Sequence, residues 1–313
     1  MSVILEPEYW LPRNVSWSDI PTKSEDLIYP VLISVPMLLF RILFESFVGV
    51  PLGYLIGYRQ IPLLKQIATH LCFGFASNTH SKRVLECFFR FSFYTALWIY
   101  GIYVLWGVPW LTEVKQWYYM TETAFYYSLL IASIFDVRRS DFLQLVFHHI
   151  VTIGLLSASW AINFVRVGTL VLLSHDVSDV VLEFSKLVRY NTTGKDYSNV
   201  CFVVFVASWI LTRIGYFPLV VIRSAVFEAA DLIQPDYNLL NIFQIPYAPR
   251  TIIIMLICLL ALHLFWTRLI IKIAWKAMKS GEAEDVRSDD EDNSDSHEDI
   301  KKHGKIRHRK KAD

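Results

Sequence analysis

Two neighbouring apolar segments of the sequence carry ionisable residues of the types that perform proton transfer and nucleophilic catalysis. The first segment holds the adjacent pair His148 and His149, and the second holds Asp176 and Asp179 beside His175. An imidazole serves as a general base or as a nucleophile, and a neighbouring carboxylate orients the ring. An ionisable group at mid-bilayer costs at least about 2.5–3.5 kcal/mol, so such groups are functional candidates. The pattern therefore predicts a catalytic site built from these two histidines and two aspartates.

The short connection between the two segments, near 163–166, predicts that they pack as an antiparallel hairpin. Counted from that turn, Asp179 lies within one helical turn in depth of both histidines, and Asp176 and Asp179 share a face. Adjacent histidines point about 100° apart on a helix, so one of them is expected to aim at the aspartates. Hydrogen-bonded contacts between helices are the structural alternative. A metal site is the chemical alternative, which the adjacent histidines disfavour because i,i+4 pairs converge better on one ion.

The distribution of apolar residues predicts the fold class. The chain has 313 residues, of which 54% are hydrophobic and 15% aromatic, and its net charge is +1. A membrane-spanning helix needs about 20 mostly apolar residues. We therefore predict an all-α fold, a polytopic membrane helix bundle of about seven transmembrane helices. The predicted spans are 27–49, 88–108, 119–135, 142–163, 165–183, 200–222 and 251–273.

Basic residues in the short loops predict the orientation, because cytosolic loops carry an excess of Lys and Arg. The bias places the N-terminus in the lumen and the C-terminus in the cytosol. Arg138, Arg139, Lys186 and Arg189 belong to the cytosolic set. They are also candidate contacts for the phosphates of a substrate. The alternative explanation for each of them, taken alone, is the general excess of basic residues in cytosolic loops.

The two ends of the chain are predicted to lie outside the membrane domain. Residues 1–26 form a lumenal tail, in which Asn14 begins an Asn-Val-Ser glycosylation sequon. Residues 276–313 form a cytosolic tail, first acidic and then basic, which is too polar to fold into a core and is predicted to be disordered. The chain ends in a Lys-Lys-Ala-Asp sequence typical of an endoplasmic-reticulum retrieval signal. Candidate phosphorylation sites, each followed by acidic residues, are Ser288, Ser294 and Ser296.

Residues 147–190 resemble the signature motif of the TLC-domain ceramide synthases. The similarity is dense over this stretch and is expected to extend over about 82–275. The matching features are the histidine pair, Thr152, Asn163, Arg166, Gly168-Thr169-Leu170, His175-Asp176, Ser178-Asp179, Glu183 and Lys186.

The resemblance implies an acyl-CoA-dependent N-acyltransferase of the endoplasmic-reticulum membrane, which acylates a sphingoid base to give ceramide or dihydroceramide. The family's functional histidines correspond to His148 and His149, and its functional aspartates to Asp176 and Asp179. The catalytic membrane domain is predicted over 88–275. The implied partners are a fatty acyl-CoA, a sphingoid base and membrane lipid, with no metal and no cofactor other than acyl-CoA as co-substrate.

Several finer expectations accompany this interpretation. Within the matching motif, Asn163, Arg166 and His175 are candidate substrate-binding residues. Many relatives carry a homeobox-like insert after the first span, but the loop 50–87 is too short for a full one, so no nucleic-acid binding is expected. A homodimer, or a heterodimer with a related synthase, is left open. The alternative function is a lipid-binding or lipid-sensing membrane protein of the same fold without enzymatic activity.

Overall fold

The computed structural model describes residues 6–58, 61–77, 79–106, 113–190, 195–229 and 237–280. Throughout these residues the fold is helical and contains no β-strand, which confirms the all-α class. The helices are α1 (Pro7–Trp10), α2 (Ser24–Ile56), α3 (Leu63–Leu71), α4 (His80–Leu105), α5 (Glu113–Ala132), α6 (Phe142–Ala161), α7 (Val165–Tyr190), α8 (195–229) and α9 (Ala248–Ser280).

Five of these helices, α2, α4, α6, α8 and α9, are long and apolar enough to cross a membrane. They coincide with the first, second, fourth, sixth and seventh predicted spans. The third and fifth predicted spans coincide with α5 and α7, which are of similar length but more polar. A bundle of membrane-spanning helices is thus confirmed, whereas the count of seven stays a prediction.

The loop predicted over 50–87 is partly helical. Helix α2 continues to Ile56, past its expected end, and α3 follows as a short separate helix. Helix α4 begins at His80, earlier than expected, because Thr79 caps it: the threonine side chain accepts a hydrogen bond from the backbone N–H of Lys82 at 3.2 Å. These early turns bring charged residues of α4 to the end of the bundle.

A tight turn joins α6 to α7, as the sequence predicts. Asn163 adopts a left-handed conformation with φ of 60°, which asparagine tolerates better than most residues. The backbone N–H of Phe164 then bonds to the carbonyl of Ser159 at 2.7 Å, and α7 starts at Val165. The buried side chains of Ile153 and Leu172 belong to one apolar cluster near this turn.

The antiparallel hairpin predicted for α6 and α7 is observed only in part. Helix α7 packs chiefly against α4 and α8, whereas α6 packs chiefly against α9 and α5. The two helices therefore meet near their turn and face different neighbours farther from it. Equal residue counts from a turn predict depth along a helix, but they do not fix the direction in which the helix leaves the turn.

Residues near the N-terminus pack against the end of the bundle where α6 and α7 are joined. The backbone N–H of Tyr247 donates to the carbonyl of Tyr9 at 2.6 Å, and the two tyrosine rings stack 5.8 Å apart. The indole N–H of Trp160 donates to the carbonyl of Lys23 at 2.9 Å. Leu11 is buried. The predicted tail is therefore ordered from residue 6 onward, while most of the C-terminal tail, 281–313, lies outside the described residues, as do its three candidate phosphorylation sites.

Candidate active site

A cavity of about 850 Å³ lies inside the bundle between α4, α5, α6, α7, α8 and α9. One part of its wall is apolar and is formed by side chains such as Leu129, Phe202 and Ile270. Another part is polar and contains both histidines of α6. At the end where α4 begins and α7 ends, which we call the charged end, the wall includes Arg83, Arg139, Lys186 and Arg189.

His148 and His149 both line the cavity, although adjacent side chains diverge on a helix. Their ring centroids are 5.8 Å apart, and the ring of Tyr126 lies 6.3 Å and 6.1 Å from them. Trp266 of α9 packs edge-on against His148 at 5.5 Å. Because the Nδ1 atoms of both histidines are buried and form no hydrogen bond to any described residue, the neighbouring rings, rather than hydrogen bonds, hold these two side chains.

Asp179 also lines the cavity, but its partner is not a histidine. Its Oδ2 atom accepts a hydrogen bond from Arg213 Nη2 of α8 at 2.8 Å. The expectation that this carboxylate orients an imidazole is therefore not met in the described part of the chain. The reason is the divergence of α6 and α7, which leaves α8 beside Asp179.

Asp176 lies outside the cavity wall formed by the described residues. Its side chain is fully buried, and neither of its oxygens bonds to a donor on a described residue. It lies within hydrogen-bonding reach of Glu122 on α5, which in turn approaches Tyr118. Two carboxyl groups can hydrogen-bond only when one of them carries a proton, so this contact needs a shared proton. The structure thus separates the two aspartates that the sequence groups together.

His175 is buried outside the cavity wall, among the side chains of α8 and α9. Its Nδ1 atom lies 2.8 Å from the carbonyl oxygen of Val171, so Nδ1 carries the proton. Its ring centroid is 5.1 Å from that of His263 and 5.0 Å from that of Phe217. His175 therefore packs behind the cavity wall, where a molecule bound in the cavity does not contact it.

The remaining candidate binding residues lie in three different places. Arg139, Lys186 and Arg189 lie at the charged end of the cavity, and the Lys186 ammonium also donates to Glu183 at 2.7 Å. Arg138 lies over the ring of Phe142 at 5.1 Å instead of in that wall. Asn163 and Arg166 are at the α6–α7 turn, at the opposite end of α6, so the structure does not bring them to the cavity.

Tyr58 adds a neutral donor to the charged end. Burial raises the pKa of Tyr58, so its hydroxyl stays protonated at neutral pH. The hydroxyl donates to the carbonyl of Tyr190 at 2.8 Å and thereby ties the segment after α2 to the end of α7.

The structure reveals charged residues that sequence reasoning did not single out. Arg213 lines the cavity next to Asp179, and Arg90 lies between Glu183 and Asp136, 3.6 Å from each. Both arginines lie in predicted spans, and Glu183 and Asp136 lie at the end of a span or directly after one. The rule that identified the histidine pair, namely that ionisable residues inside a membrane segment are costly, applies equally to Arg90 and Arg213 and would have found them.

No group of three or more His, Cys, Asp or Glu residues suited to hold a metal ion occurs among the described residues. The long apolar helices and the cavity between them, which has a polar and an apolar wall, define a membrane protein of several spans with an internal site. A family model described as the TLC domain matches residues 83–272. The chain belongs to the TLC-domain family, in its ceramide synthase branch.

Three curated relatives support this assignment over nearly the whole chain. Ceramide synthase hyl-1 of Caenorhabditis elegans is 52% identical over 311 residues, which cover 92% of this chain and 84% of that protein. Ceramide synthase hyl-2 of the same organism is 34% identical over 91% of this chain and 93% of its own. Human ceramide synthase 5 is 33% identical over 92% of this chain and 86% of its own.

Proposed function

We propose that this protein is a ceramide synthase, which transfers the fatty acyl group of an acyl-CoA to the amine of a sphingoid base. The observation that supports the proposal most directly is one cavity with two kinds of wall. Its polar side holds the two histidines and Asp179, and its apolar side offers a place for an acyl chain. At the charged end, Arg139, Lys186 and Arg189 suit the phosphates of CoA.

In the transfer, the amine nitrogen bonds to the acyl carbonyl carbon and the thioester C–S bond breaks. The nitrogen loses a proton, and the CoA sulfur gains one, so acyl-CoA and amine become amide and free thiol. The imidazole of His148 serves either as the base that carries this proton or as a nucleophile that first forms an acyl-imidazole. Its contact with Trp266 and Tyr126 keeps the ring at the cavity wall in both routes.

The experiment is N-acyl transfer by the purified protein, supplied with a sphingoid base and acyl-CoAs of several chain lengths. Wild type is compared with His148→Ala and Asp179→Asn, the latter chosen because it keeps the shape of the side chain beside Arg213. We expect amide formation by wild type and a loss of at least about 100-fold in His148→Ala, the scale of general-base or nucleophilic catalysis. Folding is checked by the melting temperature of each variant.

One outcome would contradict the proposed activity, and another would contradict only the role of His148. Well-folded wild-type protein that acylates no sphingoid base with any acyl-CoA would favour a lipid-binding role instead. Full activity in His148→Ala would exclude this histidine from the reaction while leaving the overall activity intact. The chain length that reacts fastest would identify the preferred acyl donor.

The proposed location is the endoplasmic-reticulum membrane, with the N-terminus lumenal and the C-terminus cytosolic. The basic bias of the loops supports this orientation, which puts the charged end of the cavity on the side where acyl-CoA is made available. The exposed side chain of Asn14 is accessible to glycosylation in the lumen. Pairing with a second copy or with a related synthase stays a prediction.

A further inference from the structure

Arg213 is a buried side chain of the cavity wall with four hydrogen-bonding partners. It comes from the stretch Ile210–Ile222, where α8 is wound more widely than an α-helix and contains Pro218, which cannot donate a backbone hydrogen bond. Its relative exposure is 3%, and the residue still lines the cavity. A permanent charge at this depth requires a specific set of partners.

Those partners fix the guanidinium from three sides. Nε donates to Ser178 Oγ at 3.0 Å, and Nη2 donates to the carbonyl of His175 at 3.0 Å. Nη1 lies 3.2 Å from Nε2 of His263, which must therefore accept. Nη2 also donates to Asp179 Oδ2 at 2.8 Å. The planar fork of arginine makes this arrangement directional in a way that a lysine could not reproduce.

The same contacts leave one oxygen of Asp179 available. Arg213 occupies Oδ2, and no described residue donates a hydrogen bond to Oδ1. The Asp179 side chain remains 19% exposed, against 4% for its arginine partner, and it lines the cavity. A carboxylate held in this way presents a fixed acceptor to whatever occupies the cavity, in the same wall as His148.

We propose that Arg213 is a positioning residue: it holds Asp179 by one oxygen so that the other receives the amine of the sphingoid base. The inference rests on the proposed N-acyl transfer and adds to it the residue that sets amine recognition. The free amine of a sphingoid base is largely an ammonium at neutral pH, which a carboxylate binds by a charge-assisted hydrogen bond. Asp179 places the nitrogen near His148, where the ammonium loses one proton before it attacks the acyl carbon and a second one as the amide forms. One of these protons passes to the CoA sulfur and the other to solvent.

The test measures KM for each substrate separately in wild type, Arg213→Met, Arg213→Lys and Asp179→Asn. Methionine matches the length of the arginine stem and removes its donors. We expect Arg213→Met to raise KM for the sphingoid base at least about tenfold, the effect of losing one charge-assisted hydrogen bond. KM for acyl-CoA should change less than about threefold. The matched control is Arg268→Met, on an exposed arginine of α9 away from the cavity wall, which should leave both KM values unchanged.

A binding measurement separates recognition from chemistry. A dimethylated sphingoid base keeps one N–H in its charged form but cannot form an amide. Its affinity for the purified protein should fall in Arg213→Met by the same factor as the rise in KM for the reactive base. In the Asp179→Asn background, Arg213→Met should have no further effect on either value, because Arg213 acts through Asp179.

The outcomes are distinct for the inference and for the proposed function. Wild-type protein that forms no amide refutes the proposed function. Wild-type protein that forms it, with unchanged KM for the base in Arg213→Met, refutes only the role of Arg213. Equal losses for both substrates, or additive effects in the double variant, also refute that role. If Arg213→Met does not fold, Arg213→Lys replaces it. KM for the base is then compared between Arg213→Lys and its combination with Asp179→Asn in the same way.

Discussion

Asp176 and Asp179 lie three residues apart on α7 and yet have different surroundings. Asp179 faces the cavity with Arg213 as its partner, whereas Asp176 faces Glu122 inside the protein. One turn of helix thus carries one side chain that a substrate can reach and one that it cannot. The two aspartates do share one face of α7, as their spacing predicts. That face is wide enough to contact two different surroundings, the cavity at Asp179 and Glu122 at Asp176.

This difference in surroundings predicts that the same substitution has different effects on KM for the sphingoid base at the two aspartates. Asp176→Asn should leave KM for the sphingoid base within about twofold of wild type, because the residue does not reach the cavity, while the asparagine amide can still donate to Glu122. Asp179→Asn should raise that KM about tenfold or more. Steady-state kinetics with saturating acyl-CoA measures both.

The control for this comparison is Glu122→Gln, which alters the other member of the buried carboxyl pair. It should resemble Asp176→Asn in its KM for the base. The prediction is wrong if KM for the base rises in Asp176→Asn while Asp179→Asn has normal kinetics. That result would mean that Asp176, and not Asp179, contacts the base.

The candidate residues show where sequence reasoning succeeds at this scale. The histidine pair and Asp179 were predicted because charged groups in a span are costly, and they do lie in one cavity. Arg213 follows from the same rule. The partner of Asp176 could not be predicted, because Glu122 lies on another helix whose rotation depends on the packing of the whole bundle.

At the scale of elements, a buried group of ion pairs attaches α2 to the rest of the bundle. Arg41 binds both oxygens of Asp136, at 2.6 Å and 3.0 Å, and its Nε donates to Glu45 at 2.8 Å. Glu45 also accepts from Lys82 of α4 at 2.7 Å. Helix α2 lies before the segment that matches the TLC-domain model, so these contacts bind it to the family's core.

The prediction for this cluster is a loss of stability without a specific loss of catalysis. Arg41→Met leaves two carboxylates without their main donor, and removing one partner of a buried ion pair costs about 3–5 kcal/mol. The melting temperature of the purified protein should fall clearly, while KM for both substrates in the protein that remains folded stays near wild type. Thermal denaturation followed by fluorescence of the aromatic-rich chain measures the shift.

The paired variant tests the cause. Arg41→Met combined with Asp136→Asn removes one of the stranded charges, so its melting temperature should lie above that of Arg41→Met alone. A double variant that is less stable than either single variant would mean that Arg41 stabilises the fold through contacts other than this ion pair.

The elements also show why the sequence predicts spans better than it predicts their packing. Apolar runs place the helices within several residues of their observed ends, because a bilayer fixes the length that must be apolar. The end of α2 was misplaced because the apolar stretch Val50–Ile56 continues the helix, and the start of α4 was misplaced because charged turns precede its apolar run. The divergence of α6 from α7 follows from contacts with α5, α8 and α9, which no local pattern contains.

At the scale of the whole molecule, the two ends of the bundle differ in character. The charged end of the cavity carries Arg83, Arg139, Lys186 and Arg189, while the opposite end is covered by the residues after the N-terminus, which pack against Trp160 and Tyr247. A substrate with phosphate groups therefore has one favourable entrance. The orientation of the chain in its membrane decides whether that entrance faces the compartment that contains acyl-CoA.

The orientation is tested by two glycosylation sequons, Asn14-Val15-Ser16 and a second one at Asn191-Thr192-Thr193. Asn14 is exposed in the segment that packs against the end away from the charged residues. Asn191 lies outside the described residues and follows Tyr190 in the sequence, whose side chain lines the charged end. Only a lumenal sequon can be glycosylated, so glycosidase treatment should increase gel mobility of wild type and of Asn191→Gln, but not of Asn14→Gln. If the glycosidase-induced change in mobility is lost in Asn191→Gln instead, the topology is the inverse of the proposed one. The charged end would then face the lumen, away from cytosolic acyl-CoA, and the proposed entry of the acyl donor would be wrong even if the residues that perform the transfer were assigned correctly.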